Sequence, residues 1–280
     1  MKKQQILLLS GGIILVAILF IFGNTIPKKV AKDSGPVATP LSQPAFNTAQ
    51  LIQESRKRLS PEQVSYLDAQ EARLSQDNQK IAALRTIGNF WMDSVHQHIL
   101  GAYYFGEAAK LENSEKNLTF AAHLLLEELM SEQEPAMQTW LGNNTKVLFE
   151  KVLELNPGND SAKIGIGACY MFGNISDQPM EGIMRVRQVA EKDTTNMYAQ
   201  FMLGLGGIRS GQFDKAVKRF ETVIKNEPEN LRAVFHLAET YDRLSDKANA
   251  IKWYTVARDK IQVPQAKEDL GERIKALQLN

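Results

Sequence analysis

The sequence predicts an all-α chain, a solenoid of antiparallel helical hairpins that follows a single N-terminal transmembrane helix. Three observations carry this reading. Residues 6–22 run ILLLSGGIILVAILFIF without a charge. Beyond residue 45, apolar residues recur three or four positions apart, the period of a helix with one buried stripe, and no long alternating run marks a strand. The last third repeats itself at a spacing of 34 residues, matching Leu203 with Leu237, Gly204 with Ala238, Ala216 with Ala250, Phe220 with Tyr254 and Val223 with Ala257.

The apolar run extended to Gly23 gives about 18 residues, or about 27 Å of helix, close to the thickness of bilayer hydrocarbon. Thirteen of the positions from 6 to 22 are Leu, Ile, Val or Phe, and each favours insertion by roughly 0.3–0.6 kcal/mol at the membrane centre. A cleaved signal peptide is the alternative. Against it stand the length of the run and the lack of a clear pair of small residues for cleavage around Phe22-Gly23-Asn24-Thr25. Lys2 and Lys3 precede the span while Lys28, Lys29 and Lys32 follow it, a count that slightly opposes a cytoplasmic N-terminus. The short Lys-bearing start nonetheless has the form of a signal anchor. The expectation is a single-pass protein of an inner or plasma membrane with its body on the exported side, the cytoplasmic side remaining open. Residues 30–44, VAKDSGPVATPLSQP, carry three prolines and little apolar content, and so read as a flexible linker.

Past the linker the elements follow in order. Ser60-Pro61-Glu62-Gln63 is a helix start: Ser60 can accept from an orphan amide, Pro61 suits the first turn and Gln63 can reach back. Further helices are expected over 78–98, 99–111, 114–131 and 144–155, joined by short connections that imply antiparallel hairpins. Residues 197–230, MYAQFMLGLGGIRSGQFDKAVKRFETVIKNEPEN, closely resemble a tetratricopeptide repeat, and 231–264 resemble one too. Phe149 to Pro157, FEKVLELNP, is similar to the second helix and closing turn of an earlier repeat, and 160–196 follow with Gly167 and Tyr170 at matching positions. That unit is longer by about three residues near Asn174-Ile175-Ser176, and Thr194 stands where the closing proline would be. The small residues Gly204 and Ala216 are expected to let the two helices of one hairpin approach, with Phe220 filling the wedge between hairpins. Residues 81–144 resemble the family only loosely. The organisation is therefore tail and anchor over 1–26, linker over 27–45, a divergent helical region with repeat-like hairpins over 46–144, the repeat array over 145–263, and a polar capping helix over 264–280.

Composition argues against several functions. Lys and Arg number 33 against 32 Asp and Glu, so no basic surplus exists to neutralise phosphates, and nucleic acid is not expected as a partner. Cys169 is the single cysteine, which excludes an intramolecular disulfide and a zinc-binding thiolate cluster. His96 and His98 are two apart and would diverge on a helix; His123 and His236 have no sequence partner for a metal. Glu127-Glu128 and Glu132-Gln133-Glu134 read as a solvated face, since nothing places a second carboxylate opposite them. Gly204-Leu205-Gly206-Gly207 follow no strand and are not a dinucleotide loop. The aromatics Phe90-Trp91 and Tyr103-Tyr104-Phe105 read as core rather than as a ligand pocket. Neither an enzyme nor a cofactor is expected.

The resemblance implies a concave surface lined by the first helix of each hairpin, and hence a scaffold that binds a protein or peptide. An assembly chaperone for exported or membrane proteins, similar to anchored tetratricopeptide proteins of cytochrome maturation, is the alternative. The candidate partner-binding stripe is Tyr198, Phe201, Leu205, Ile208 and Arg209, continued by Arg232, Phe235, Glu239, Asp242 and Arg243. Its three arginines weakly favour an acidic partner, offset by Glu239 and Asp242. Ala199, Leu203, Gly204 and Gly207 form the packing stripe of the same helix. Phe201 and Phe235 could equally fill gaps between hairpins.

Overall fold

The computed structural model describes residues 46–176 and 178–279; the apolar run at 6–22 and the linker over 27–45 lie outside them. Thirteen α-helices and no strand stand among the described residues. They are α1 (Thr48–Arg56), α2 (Pro61–Ala72), α3 (Asp77–Asn89), α4 (His98–Glu112), α5 (Glu115–Ser131), α6 (Pro135–Leu155), α7 (Asp160–Phe172), α8 (Pro179–Lys192), α9 (Met197–Arg209), α10 (Phe213–Asn226), α11 (Leu231–Arg243), α12 (Lys247–Lys260) and α13 (Pro264–Leu279). None is long and apolar enough to cross a membrane. From α3 onward they pair as successive hairpins, and α13 packs against α12 to close the array. The first helices α5, α7, α9 and α11 also touch in sequence, forming one layer.

Helix starts follow from local chemistry. The Ser60–Gln63 capping box forms as expected: the Gln63 amide donates to Ser60 Oγ at 3.2 Å and the Ser60 amide to Gln63 Oε1 at 2.9 Å. A second capping device was not anticipated. Asn159, Asn196 and Asn230 stand just before α7, α9 and α11, and each side chain accepts from the amide of an alanine three residues on, at 2.9, 2.9 and 3.0 Å. Asn-x-x-Ala thus marks the first helix of each of three consecutive hairpins.

Two expectations need correction. The helix expected over 78–98 ends at Asn89 and passes into one π-helical turn, Phe90–Ser94. His96 then takes a positive φ of 57°, which no helix continues through, and α4 starts at His98. The helix expected from residue 144 begins at Pro135, because Glu134 accepts from the amides of Ala136 and Met137 and Pro135 occupies the first turn. The boundary placed between 144 and 145 therefore falls inside α6. Gly204 and Ala216 both lie where α9 and α10 approach: a Cβ on Gly204 would lie 2.5 Å from the Phe220 ring, and one on Gly207 would lie 3.0 Å from Ala216 Cβ.

The interior is apolar and runs through the array, with Phe149, Leu148, Leu125, Leu126, Val186 and Phe220 sealed from solvent. Phe220 spans two hairpins: its ring packs edge-on against Phe201 at 5.8 Å and stacks on His236 of α11 at 5.8 Å. The longer unit inferred from the sequence is visible as the α7–α8 connection, six residues from Gly173 to Gln178, where α9 and α10 are joined by three from Ser210 to Gln212. Gly142 of α6 touches this connection, since a Cβ there would meet Gly173 Cα at 2.7 Å. At the N-terminal end, Phe46 packs edge-on against Trp140 of α6 at 5.7 Å, and Trp140 Nε1 donates to Thr48 Oγ1 at 2.9 Å. Arg56 donates to both carboxylate oxygens of Glu71 at 2.8 Å and also pairs with Asp68, joining α1 to α2.

Gly204→Leu and Ala216→Leu are each expected to lower stability by about 1–3 kcal/mol through overpacking, and Asn196→Ala by about 0.5–2 kcal/mol through loss of the cap. Lys218→Ala on the exposed face should change it by less than about 0.5 kcal/mol. Urea midpoints of the four variants check this; equal midpoints would refute the packing register.

Candidate functional site: a groove on the first-helix face

Helix α9 divides its surroundings. Leu203, Gly207 and Ser210 recur at helical spacing toward α8 and α10, whereas Leu205, Ile208 and Arg209 look the other way, into a groove of about 360 Å³. That groove is bounded by α9, by His236, Glu239 and Arg243 of α11, by Phe172 at the end of α7, and by the last turn of α5 with the turn that follows it. Its floor is apolar, supplied by Leu129, Met130, Phe172, Leu205 and Ile208. Its rim is charged.

The carboxylates at the rim are already engaged. Glu132 Oε1 accepts from the amides of Gln133 and Glu134 at 2.7 and 2.8 Å. Glu239 Oε2 lies 3.0 Å from His236 Nδ1, and this hydrogen bond holds the Glu239 carboxyl below the usual range, against the opposing effect of burial. The Arg209 guanidinium rests over the Phe172 ring, 5.6 Å from its centre. Neither Arg209 nor Arg243 forms an ion pair among the described residues. The groove thus sets two guanidinium groups without a direct ion pair above an apolar floor, with the Glu132 and Glu239 carboxylates on the same rim and Arg243 helping to hold Glu239 ionised.

Five of the ten stripe residues meet here: Leu205, Ile208, Arg209, Glu239 and Arg243. The other five do not line it. Phe201 is only 6% exposed, packed on Phe220 and covered by the Arg232 guanidinium, so it is core. Arg232 reaches Glu127 of α5 at 3.4 Å. Tyr198 packs on His123 at 5.7 Å. Phe235 is 38% exposed but lies edge-on to Tyr254. Asp242 accepts from Arg273 Nε of α13 at 2.9 Å and from Tyr254 at 3.3 Å, and so ties α11 to the closing helix. Sequence reasoning missed the contributions of α5, of the turn after it and of Phe172. No local signal marks them, because only the stacking of four hairpins brings Glu127 beside Arg232, 105 residues later.

Chemistry at single residues is confined. Cys169 is fully buried, and burial pushes its thiol up, away from the thiolate. No group of three or more His, Cys, Asp or Glu among the described residues is placed to hold a metal ion. His123 lies deep between α5, α7 and α9: Nε2 is 2.9 Å from Ser161 Oγ, and the ring meets Phe149 at 5.2 Å. Burial pushes its pKa below the ordinary 6.5, with Glu127 acting weakly the other way. Burial likewise raises the Tyr198 hydroxyl beside it.

Stacked hairpins with an open groove along their first helices define a helical-repeat protein. Residues 197–266 match the family described as Tetratricopeptide repeat, and the all-α solenoid is of tetratricopeptide type. Its fold is shared with a tetratricopeptide repeat protein from Parabacteroides merdae, at 16% identity and a TM-score of 0.53, covering 82% of this chain and 86% of that one. A thermophilic tetratricopeptide repeat protein of Thermus thermophilus matches at 14% identity and a TM-score of 0.53, over 71% of this chain and 100% of its own. No curated protein matches the chain.

Because the folded His123 pKa lies below 6.5, the unfolded chain binds more protons in the window between the two values, and stability rises with pH there. The contribution is complete above 6.5 and is lost as pH falls through the window. A lower urea midpoint at pH 5.5 than at pH 7.5 is expected, and His123→Gln should shrink that difference. An unchanged difference in the variant would refute the assignment.

Proposed function

We propose that the chain is a membrane-anchored, non-enzymatic scaffold that binds a protein or peptide segment in the first-helix groove. One observation carries the binding part: Arg209 and Arg243 stand without ion-pair partners above the apolar floor of Leu129, Met130, Phe172, Leu205 and Ile208. Folding has left two guanidinium groups without direct ion pairs beside buried-type surface, an arrangement that suits a partner offering an apolar side chain and a carboxylate together. The uncharged run at 6–22 supports anchoring, with the body on the exported side.

Crosslinking in the native membrane, followed by titration of the captured partner, tests this reading. Arg209→Glu and Arg243→Glu are expected to weaken binding at least tenfold, whereas Lys151→Ala should leave it unchanged. Unchanged affinity in both groove variants would sink the proposal. Capture mainly of newly exported, unassembled polypeptides would mark an assembly chaperone rather than a standing scaffold.

Anchoring has its own test. The full chain should stay in the membrane fraction after a high-salt wash, and a chain lacking residues 1–44 should be soluble and helical. Release of the full chain by salt would refute the anchor.

A further inference from the structure

A second groove lies on the opposite side of α9, between the second helices α8 and α10, with a volume of about 250 Å³. Its floor is Ile183, Leu203 and Gly207, and Gly207 lets α10 pack close, since a Cβ there would meet Ala216 at 3.0 Å. Its walls carry Arg187 from α8 and Lys215, Lys218 and Arg219 from α10, and no carboxylate lines it. In a chain with 33 basic and 32 acidic residues, four cations around one cleft are a marked local excess.

Their partners are all neutral. Arg219 Nη1 donates to Oε1 of the buried Gln200 at 2.5 Å, Lys215 Nζ to Gln212 Oε1 at 2.6 Å, and Arg187 Nη1 approaches Met184 Sδ at 3.9 Å. None of the four forms an ion pair among the described residues, although the neighbouring α8 cations do: Arg185 pairs with Glu181 at 2.7 Å and Lys192 with Asp160 at 3.8 Å. Glu221 of α10 is turned away, accepting from the Tyr241 hydroxyl of α11 at 3.1 Å. The Arg219–Gln200 bond fixes one guanidinium at the cleft wall, with four of its five donors left over.

We propose that this outer cleft binds an extended acidic segment of a partner polypeptide, at a site separate from the first-helix groove. Charge complementarity selects an anion. Shape selects a chain: carboxylates on short side chains can enter a cleft bounded by two helices and reach guanidinium and ammonium groups on both walls, whereas a flat anionic surface meets only the rims. Bidentate pairing at Arg187 and Arg219 with point-charge contacts from Lys215 and Lys218 spreads recognition along several residues of the ligand.

A fluorescently labelled octaglutamate peptide is the probe, titrated against the detergent-solubilised full chain at low and moderate salt. Saturable binding is expected, weakened at least tenfold by Arg187→Glu and by Lys218→Glu, and retained in Lys80→Glu, which makes the same charge change on α3. Arg209→Glu should also leave it intact, so that failure here and failure of the first-helix groove are separate results. Circular dichroism confirms that each variant folds. Equal loss in Lys80→Glu would show non-specific charge attraction and overturn the proposal, as would no loss in either cleft variant. Failure of octaglutamate to bind, with phosphatidylglycerol vesicles instead recruiting the chain through Arg187 and Lys218, would replace the acidic segment with a lipid surface.

Discussion

Close helix approach at glycine is the constraint on which the array rests. A Cβ at Gly182 would come within 2.3 Å of the Gly167 carbonyl oxygen, and one at Gly167 within 2.6 Å of Val186, so α7 and α8 meet almost backbone to backbone. One hairpin later the device changes from glycine against glycine to glycine against ring, with Gly204 received by Phe220. Both solutions bring the two helices close enough for their apolar stripes to exclude water, and burial of those stripes supplies most of the stabilisation. Because Phe220 also stacks on His236, the packing inside one hairpin sets the position of the next.

That coupling explains what was legible in the sequence. The spacing of 34 was visible because the residues that fill each hairpin are local and recur. The six-residue α7–α8 connection was visible as an interruption of the spacing. Asn159, Asn196 and Asn230 recur as regularly as the apolar positions, yet a cap is polar, so a search for hydrophobic periodicity does not bring it out. The start of α6 at Pro135 was missed for a related reason: Glu134-Pro135 is a weaker start signal than Ser60-Pro61, because Glu is not a favoured cap and no capping box follows, and its apolar stripe begins only with Trp140 and Leu141. The π-helical turn at Phe90–Ser94 has no signal in the side-chain pattern, since Phe90 and Trp91 suit a continuing helix equally well.

The candidate site was half legible for a geometric reason. A helix of this array has a packing face and an open face, and spacing alone separates them, which put Leu205, Ile208 and Arg209 on the face that lines the groove. Spacing does not say which open-face residues a neighbour will claim. Asp242 went to Arg273 and Arg232 to Glu127, each on an element outside its own hairpin, and Phe201 went to the core against Phe220 of the next helix. The groove keeps what such contacts leave over. Its character, an apolar floor under a charged rim, is thus a property of the stacked array and not of any one repeat.

The contact of Phe46 and Thr48 with Trp140 has a mechanical meaning. The described body begins at Phe46, yet that end is held by α6, some ninety residues further on, through one ring contact and one hydrogen bond. Tension entering from the preceding chain would act on α6, whose Leu148, Phe149 and Val152 are sealed in the interior, before it could peel α1 and α2 away in order. The contact with Trp140 is the first that such a load would have to break, ahead of the Arg56 pairs with Asp68 and Glu71 that join α1 to α2.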